Sequence, residues 1–248
     1  MPTALLSFRL RYLAVLFGLL FVLGACSSGE TEAAAEVDPG LIPQTPEELQ
    51  SEAARVMGET QSVRFTIERS EAAVYIDQIE SISLDSIEGR FSVPSSADAI
   101  IGVTVNDSLR TELGAIAIGE EVWLTNPAPG TFETLPPGFD IDPSSFFDPV
   151  GGWQPLIEGL TDLELLGQVE RDGETRFQLR GTAAEEEMRA ITAGLVRDQE
   201  VEIDLWINPT TREVTSVEFS TEFDGAVSGW QLELTEYGET FDISPPEE

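Results

Sequence analysis

Apolar and polar residues follow two rhythms along this chain, and the change from one to the other marks out its elements. Thr45-Pro46-Glu47-Glu48 offers a Thr N-cap, a Pro at N1 and a capping-box Glu at N3. Leu49, Ala53, Val56 and Met57 then put one apolar stripe on a helix predicted to end near Gly58. That stripe needs a surface to lie against, and the second rhythm supplies it. Val63, Phe65 and Ile67 alternate with Arg64, Thr66 and Glu68, which predicts a strand with one wet face. Less regular alternation predicts strands over Ile79–Val93, Ala99–Val105, Leu109–Ile118 and Val122–Leu124. The short separators Asn106-Asp107-Ser108 and Gly119-Glu120-Glu121 suit antiparallel neighbours.

The middle of the chain breaks this pattern. Prolines in Asn126-Pro-Ala-Pro-Gly130 and Leu135-Pro-Pro-Gly138 argue against central strands there. Asp142-Pro143 has the form of an N-cap and N1 pair opening a segment with Phe146, Phe147, Trp153, Leu156, Ile157 and Leu160. Gly151-Gly152 divides that segment, so it reads as two short helical pieces joined by a flexible, lid-like joint. Beyond it, Leu163–Val169 and Thr175–Arg180 flank a hairpin signal at Asp172-Gly173. Thr182-Ala-Ala-Glu185 reads as a second capping box, starting a helix striped by Ala184, Met188, Ile191 and Leu195. Val201–Ile207, Glu213–Thr221 after the turn Asn208-Pro-Thr-Thr211, and the alternation Trp230, Leu232, Leu234 complete the strands.

No repeat and no second linker interrupts residues 45–248, so they are expected to form one domain. The economical solution is α+β: a strongly curved antiparallel sheet with two or three helices covering one face. Residues 1–25 differ in kind. They hold Arg9 and Arg11 and no acid, then the apolar run Tyr12–Val22, which is a secretory leader too short to span a bilayer comfortably. Leu23-Gly24-Ala25-Cys26 matches a bacterial lipobox, with Cys26 as the residue that receives the lipid. As the sole cysteine of an exported chain, Cys26 has no disulfide partner, and lipidation would consume it. Residues 26–44 lack hydrophobic period and read as a tether. The chain is therefore expected to be exported and lipid-anchored through Cys26 on the extracytoplasmic side of the cell membrane.

Composition then narrows the chemistry. All 13 cations are arginines against 46 acids, a formal charge of −33, and there is no lysine or histidine. Removing residues 1–25 takes the charge to −35, because only two arginines leave. Lysine Schiff bases, histidine bases and His/Cys zinc sites are excluded. So acidic a surface is a poor partner for nucleic acid. Asp140-Ile-Asp142-Pro-Ser144 begins like a calcium loop, but the glycine at its sixth position is missing and its twelfth is Gly151 rather than Glu. Glu185-Glu186-Glu187 reads as the acidic first turn of a helix, and Tyr237 as packing. No catalytic group and no cofactor or metal is expected.

Several stretches, in order, resemble a known family. They are Gly152-Trp153-Gln-Pro-Leu156-Ile-Glu-Gly159-Leu160, Val201-Glu-Ile-Asp-Leu-Trp-Ile-Asn-Pro209, Arg212-Glu-Val214, and Trp230-Gln-Leu-Glu-Leu-Thr-Glu-Tyr-Gly238 leading to Phe241-Asp-Ile-Ser-Pro-Pro246. Together with the lipobox they resemble the LppX/LprG family of bacterial envelope lipoproteins. Asn208, where the family often has Asp, and the high acidity depart from it. The resemblance implies a half-open barrel similar to the LolA/LolB carriers, a hydrophobic cavity for acyl chains, and a non-enzymatic role in moving lipid or glycolipid across the envelope. A membrane transporter is an implied partner. The candidate lining and lid are Val63, Phe65, Ile67, Ile101, Val103, Phe146, Phe147, Trp153, Leu156, Ile157 and Leu160. Periodicity alone fits equally an envelope structural or interaction lipoprotein whose core is filled and which carries no lipid.

Overall fold

The computed structural model describes residues 45–77, 79–125, 131–134, 143–192 and 194–246. The leader, Cys26, the tether, both proline-dense stretches and Asp140–Asp142 lie outside the described residues.

Thr45 caps the first helix, α1 (Pro46–Gly58), its hydroxyl accepting from the Glu48 amide at 3.1 Å. The buried stripe is Leu49, Ala53, Ala54 and Met57, with Val56 only half-buried. Strands β1 (Ser62–Glu71), β2 (Val74–Tyr75), β3 (Ile82–Ser92), β4 (Ser96–Val105), β5 (Leu109–Ile118), β6 (Glu121–Thr125) and β7 (Phe132–Thr134) follow. A 3-10 turn (Pro143–Phe147) and α2 (Trp153–Gly159) lead to β8 (Thr161–Arg171), β9 (Glu174–Ala183), α3 (Glu185–Ile191), β10 (Val201–Ile207), β11 (Val214–Phe223) and β12 (Ala226–Thr235). The strands form one twelve-stranded sheet in the order β7-β6-β5-β4-β3-β1-β12-β11-β10-β9-β8, with β2 beside β3. The path begins and ends on different edges, so the sheet is an open antiparallel one.

Local chemistry explains the connections. Asn106-Asp107, Asp172-Gly173 and Asp224-Gly225 each place two successive residues at positive φ, the geometry of tight hairpins that matches strand twist. Asn208 turns the chain by accepting from the amides of Thr210 and Thr211. Bulges between Leu84 and Ser86, at Trp206/Ile207 and twice along β8 add local bend and twist to a sheet that must curve around a core. On the outer face the arginines act as cross-strand partners: Arg90 pairs with Asp98, and Arg180 grips Asp204 through two bonds of 2.9 and 2.8 Å.

Three sequence expectations shift. The strand expected over Ile79–Val93 is β3 and begins only at Ile82, with Ile79 82% exposed in the turn that joins β2 to β3. Between the two proline-dense stretches the short β7 stands at the edge of the sheet, where neighbouring prolines are tolerated. Thr182 is not a helix cap: it lies in β9 opposite Thr161 and Glu202, and helical bonding starts with the Met188 amide donating to Ala184. The α3 helix stops at Ile191, so Leu195 packs from the following loop.

Candidate functional site

Inward-facing positions on β1 are Val63, Phe65 and Ile67, at 0, 1 and 6% exposure, and those on β4 are Ile101 and Val103. With Phe146, Trp153, Leu156, Ile157 and Leu160 they belong to one buried apolar cluster, against which the half-buried Phe147 packs. All the residues expected to line or cover a cavity thus come together on the concave side of the sheet.

Their arrangement is layered. The floor is small: Ala97 pairs with Ala117 and Ala99 with Ala115 across β4 and β5, and all four are buried. Gly89 on β3 leaves room for the Phe65 ring, whose tip lies 2.4 Å from where a Cβ would stand. The 3-10 turn packs over β3, β4 and β5 and inserts two aromatic rings. Phe146 meets Phe65 edge-on at 5.4 Å, and Phe147 stacks on Phe91 at 4.3 Å. Sequence reasoning missed Phe91 and this alanine floor, although the alternation Ala97, Ala99, Ile101, Val103 carries its signal.

The covering segment is pinned to α1 and to itself. Gln50 donates to the carbonyls of Ile157 and Leu160 at 2.8 and 2.9 Å, filling acceptors that the C-terminal end of α2 leaves open. Asp148 accepts from the amides of Val150 and Gly151, and Gly152 donates to the Asp148 carbonyl at 2.8 Å. The joint is therefore a bonded turn, and Gly152 is needed for close approach: a Cβ there would lie 2.4 Å from the Phe146 carbonyl oxygen. That corrects the expectation of a loose joint at Gly151-Gly152. At the other end of the core Tyr237 donates to the Val214 carbonyl at 2.5 Å, and burial pushes its hydroxyl well above the ordinary tyrosine range.

Among the described residues, buried apolar side chains pack against one another in one cluster. An apolar pocket bounded by Ile67, Trp153, Ile191, Phe219, Trp230 and Leu232 holds about 10 Å³. Ligand pockets span roughly 300–1,000 Å³. Among the described residues no group of three or more His, Cys, Asp or Glu is placed to hold a metal ion, and no helix is long and apolar enough to cross a membrane.

The family model for the LppX_LprAFG lipoprotein matches residues 45–243. Among solved structures, LprF from Mycobacterium bovis superposes with a TM-score of 0.64 at 13% identity, covering 81% of this chain and 96% of that one. The Mycobacterium tuberculosis lipoprotein LppX superposes with a TM-score of 0.56 at 15% identity, over 84% and 100% of the two chains. At these identities the likeness is one of fold. Comparison with curated protein sequences gives no match.

Proposed function

The chain belongs to the LppX_LprAFG lipoprotein family, and we propose that it is a membrane-anchored lipid carrier. Its domain, residues 45–248, takes up lipid acyl chains between the sheet and the segment Pro143–Leu160, while Cys26 holds it to the extracytoplasmic face of the membrane through the tether of residues 26–44. The signal peptide, residues 1–25, is removed. The protein moves lipid or glycolipid across the envelope by binding, without catalysis, and exchanges it with a membrane transporter.

The observation that carries this reading is the aromatic pair Phe146 and Phe147 seated over a floor of alanines. Large rings on a short 3-10 turn form a plug that moves as one piece, and withdrawing it would leave a cleft walled by Phe65, Phe91 and Ile101. A flexible acyl chain is chemically the same kind of filler as those rings. A second reading, an envelope structural lipoprotein with a permanently filled core, is favoured by the pocket of about 10 Å³.

Native mass spectrometry of the protein expressed in bacteria separates the two. The carrier reading expects co-purifying lipid and saturable uptake of a fluorescent acyl probe. A lipid-free mass together with no uptake would leave the filled-core reading standing. A Cys26→Ser chain is expected in the soluble fraction, and one that stays membrane-bound and lipid-labelled would remove the anchor from the scheme.

A further inference from the structure

The concave apolar face does not end under the plug. Across β4 and β5 the register pairs Ala99 with Ala115, Ile101 with Leu113, Val103 with Thr111 and Val105 with Leu109, so the inward row on β5 closes at Leu109. β3 and β2 continue the same face, with Ile82 opposite Val105 and Val74 opposite Leu84. Along β4 burial fades from Val103 at 1% exposure to the half-buried Val105, and its partner Leu109 is 62% exposed. The row therefore runs from core to solvent at the end of the sheet where β4 turns into β5, and it never changes face.

Two more large apolar side chains stand at that end. Ile79 is 82% exposed in the turn joining β2 to β3, and Phe223 is 73% exposed at the β11–β12 hairpin. The pairing of β1 with β3 and with β12 brings both to the same end as Leu109. The turn carrying Ile79 is a bonded one. Asp77 accepts from the Ser81 amide at 2.9 Å, the Ser81 hydroxyl at 2.6 Å and the Ile82 amide at 2.8 Å. The Ser81 carbonyl in turn accepts from the Asn106 amide at 2.7 Å, which ties this turn to the one before Leu109. Ile79 is thus held outward while its neighbours Ile76 and Ile82 pack against the core. Single exposed apolar residues are ordinary on a protein surface. Three at one end, two of them next to turns bonded to each other and joined to the concave face, make a contact surface.

We propose that this end of the sheet docks on a lipid bilayer, with Ile79, Leu109 and Phe223 entering the headgroup boundary. In the working protein an acyl chain then passes between the bilayer and the plug along the β4–β5 row. That passage rests on the carrier reading; the docking does not. Continuity identifies the occupant as lipid, because the tips open onto a row that leads inward and a fluid apolar phase meets both at once. Chain length permits it: the nineteen residues 26–44 reach at most about 60–70 Å, more than the roughly 40–45 Å breadth of a domain this size, so an anchor at Cys26 leaves this end free to touch the membrane. Charge sets the kind of bilayer. Glu80, Asp107, Glu222 and Asp224 are exposed at this end, with Arg110 beside Leu109. Docking is therefore driven by apolar burial and opposed by anionic lipid, and salt should strengthen it on an anionic surface by screening that repulsion.

The test places an environment-sensitive fluorophore on Ser108→Cys, beside the tips, or on Ile100→Cys, which faces the outer side of β4 roughly 17 Å from its Val105 end. The protein is lipidated and reconstituted in phosphatidylcholine vesicles containing a nitroxide lipid; if Cys26 proves to be a free thiol, the Cys26→Ser chain is used with the same vesicles. Quenching is expected at position 108 and not at position 100. Ile79→Ser should lower the docked-to-undocked ratio about tenfold, and Ile79→Ser with Phe223→Ser about a hundredfold, with the urea midpoint unchanged because both side chains stand in solvent. Replacing part of the phosphatidylcholine by phosphatidylglycerol should weaken docking, and molar salt should restore it. Equal quenching at the two positions overturns the proposal, as does quenching at position 108 that survives the double substitution or that anionic lipid strengthens at low salt. Docking without uptake of a fluorescent acyl probe would remove the carrier reading and leave the docking surface, whereas uptake without docking would do the reverse.

Discussion

Replacing Phe146 by alanine separates a plug from an ordinary core residue. Phe146 is 7% exposed and edge-on to Phe65 at 5.4 Å, so as a core residue it should cost about 3–5 kcal/mol of stability on truncation. The effect on binding goes the other way if the turn must withdraw. Exposing two phenylalanines costs about 1.5–3 kcal/mol each, or about 3–6 together, against about 12 kcal/mol from burying some fifteen methylenes of an acyl chain at about 0.8 each. Removing one ring therefore lowers the opening cost by about 1.5–3 kcal/mol, which is roughly 10- to 150-fold in affinity. Urea denaturation of the lipid-free chain gives the first number, and titration with a fluorescent acyl probe gives the second. A lower midpoint together with unchanged or weaker probe binding would refute the plug, because destabilisation would then have freed no site.

Three further outcomes follow from single contacts. Gln50→Ala takes the side-chain donor from the Leu160 carbonyl and one of two donors from that of Ile157, and should cost about 1–3 kcal/mol, with proteolysis between residues 143 and 160 accelerated more than global unfolding. Gly152→Ala drives a Cβ against the Phe146 and Asp148 carbonyls and should cost about 1–3 kcal/mol, with faster amide exchange at residues 148–152; a neutral result would mean that the turn is not close-packed. Tyr237 favours its neutral form in the fold, so its contribution is intact below about pH 10 and is lost as pH rises further, by up to about 1.4 kcal/mol per unit. Tyr237→Phe should flatten that alkaline limb of the pH–stability curve while losing about 0.5–1.5 kcal/mol at neutral pH with the bond to Val214.

What the sequence revealed depended on how local its cause was. Strands with one wet face, such as β1 and β10, were legible because burial acts on alternate residues and nothing else competes. The hairpin at Asp172-Gly173 and the cap at Thr45 were legible because a few neighbouring atoms decide them. Thr182 misled for the complementary reason: the S/T-x-x-E pattern was present, but pairing with β8 and β10 held the residue in a strand. Gly152 carried an equally ambiguous signal, since glycine serves both flexible joints and close backbone contacts, and the contact with the Phe146 carbonyl lies six residues away. The partners of the arginines were not legible either, because pairing is settled across strands, as Arg90–Asp98 and Arg180–Asp204 illustrate.

A filled interior and a binding function are compatible on energetic grounds. With Cys26 its only cysteine, the chain has no disulfide within it, so its stability rests on burial. An empty apolar cavity of a few hundred Å³ would cost about 24 cal/mol per Å³, or about 7 kcal/mol for 300 Å³. A domain of ordinary stability has only about 5–15 kcal/mol in total. A carrier built on this sheet therefore has strong reason to close over its own side chains when it holds no lipid. Flexible aliphatic fillers would collapse in many ways, whereas Phe146 meets Phe65 edge-on and Phe147 stacks on Phe91, so that on the carrier reading the two rings would leave as a unit with their turn. On the carrier reading, the affinity for lipid would be the difference between two fillings of one space, with the aromatic pair setting that difference.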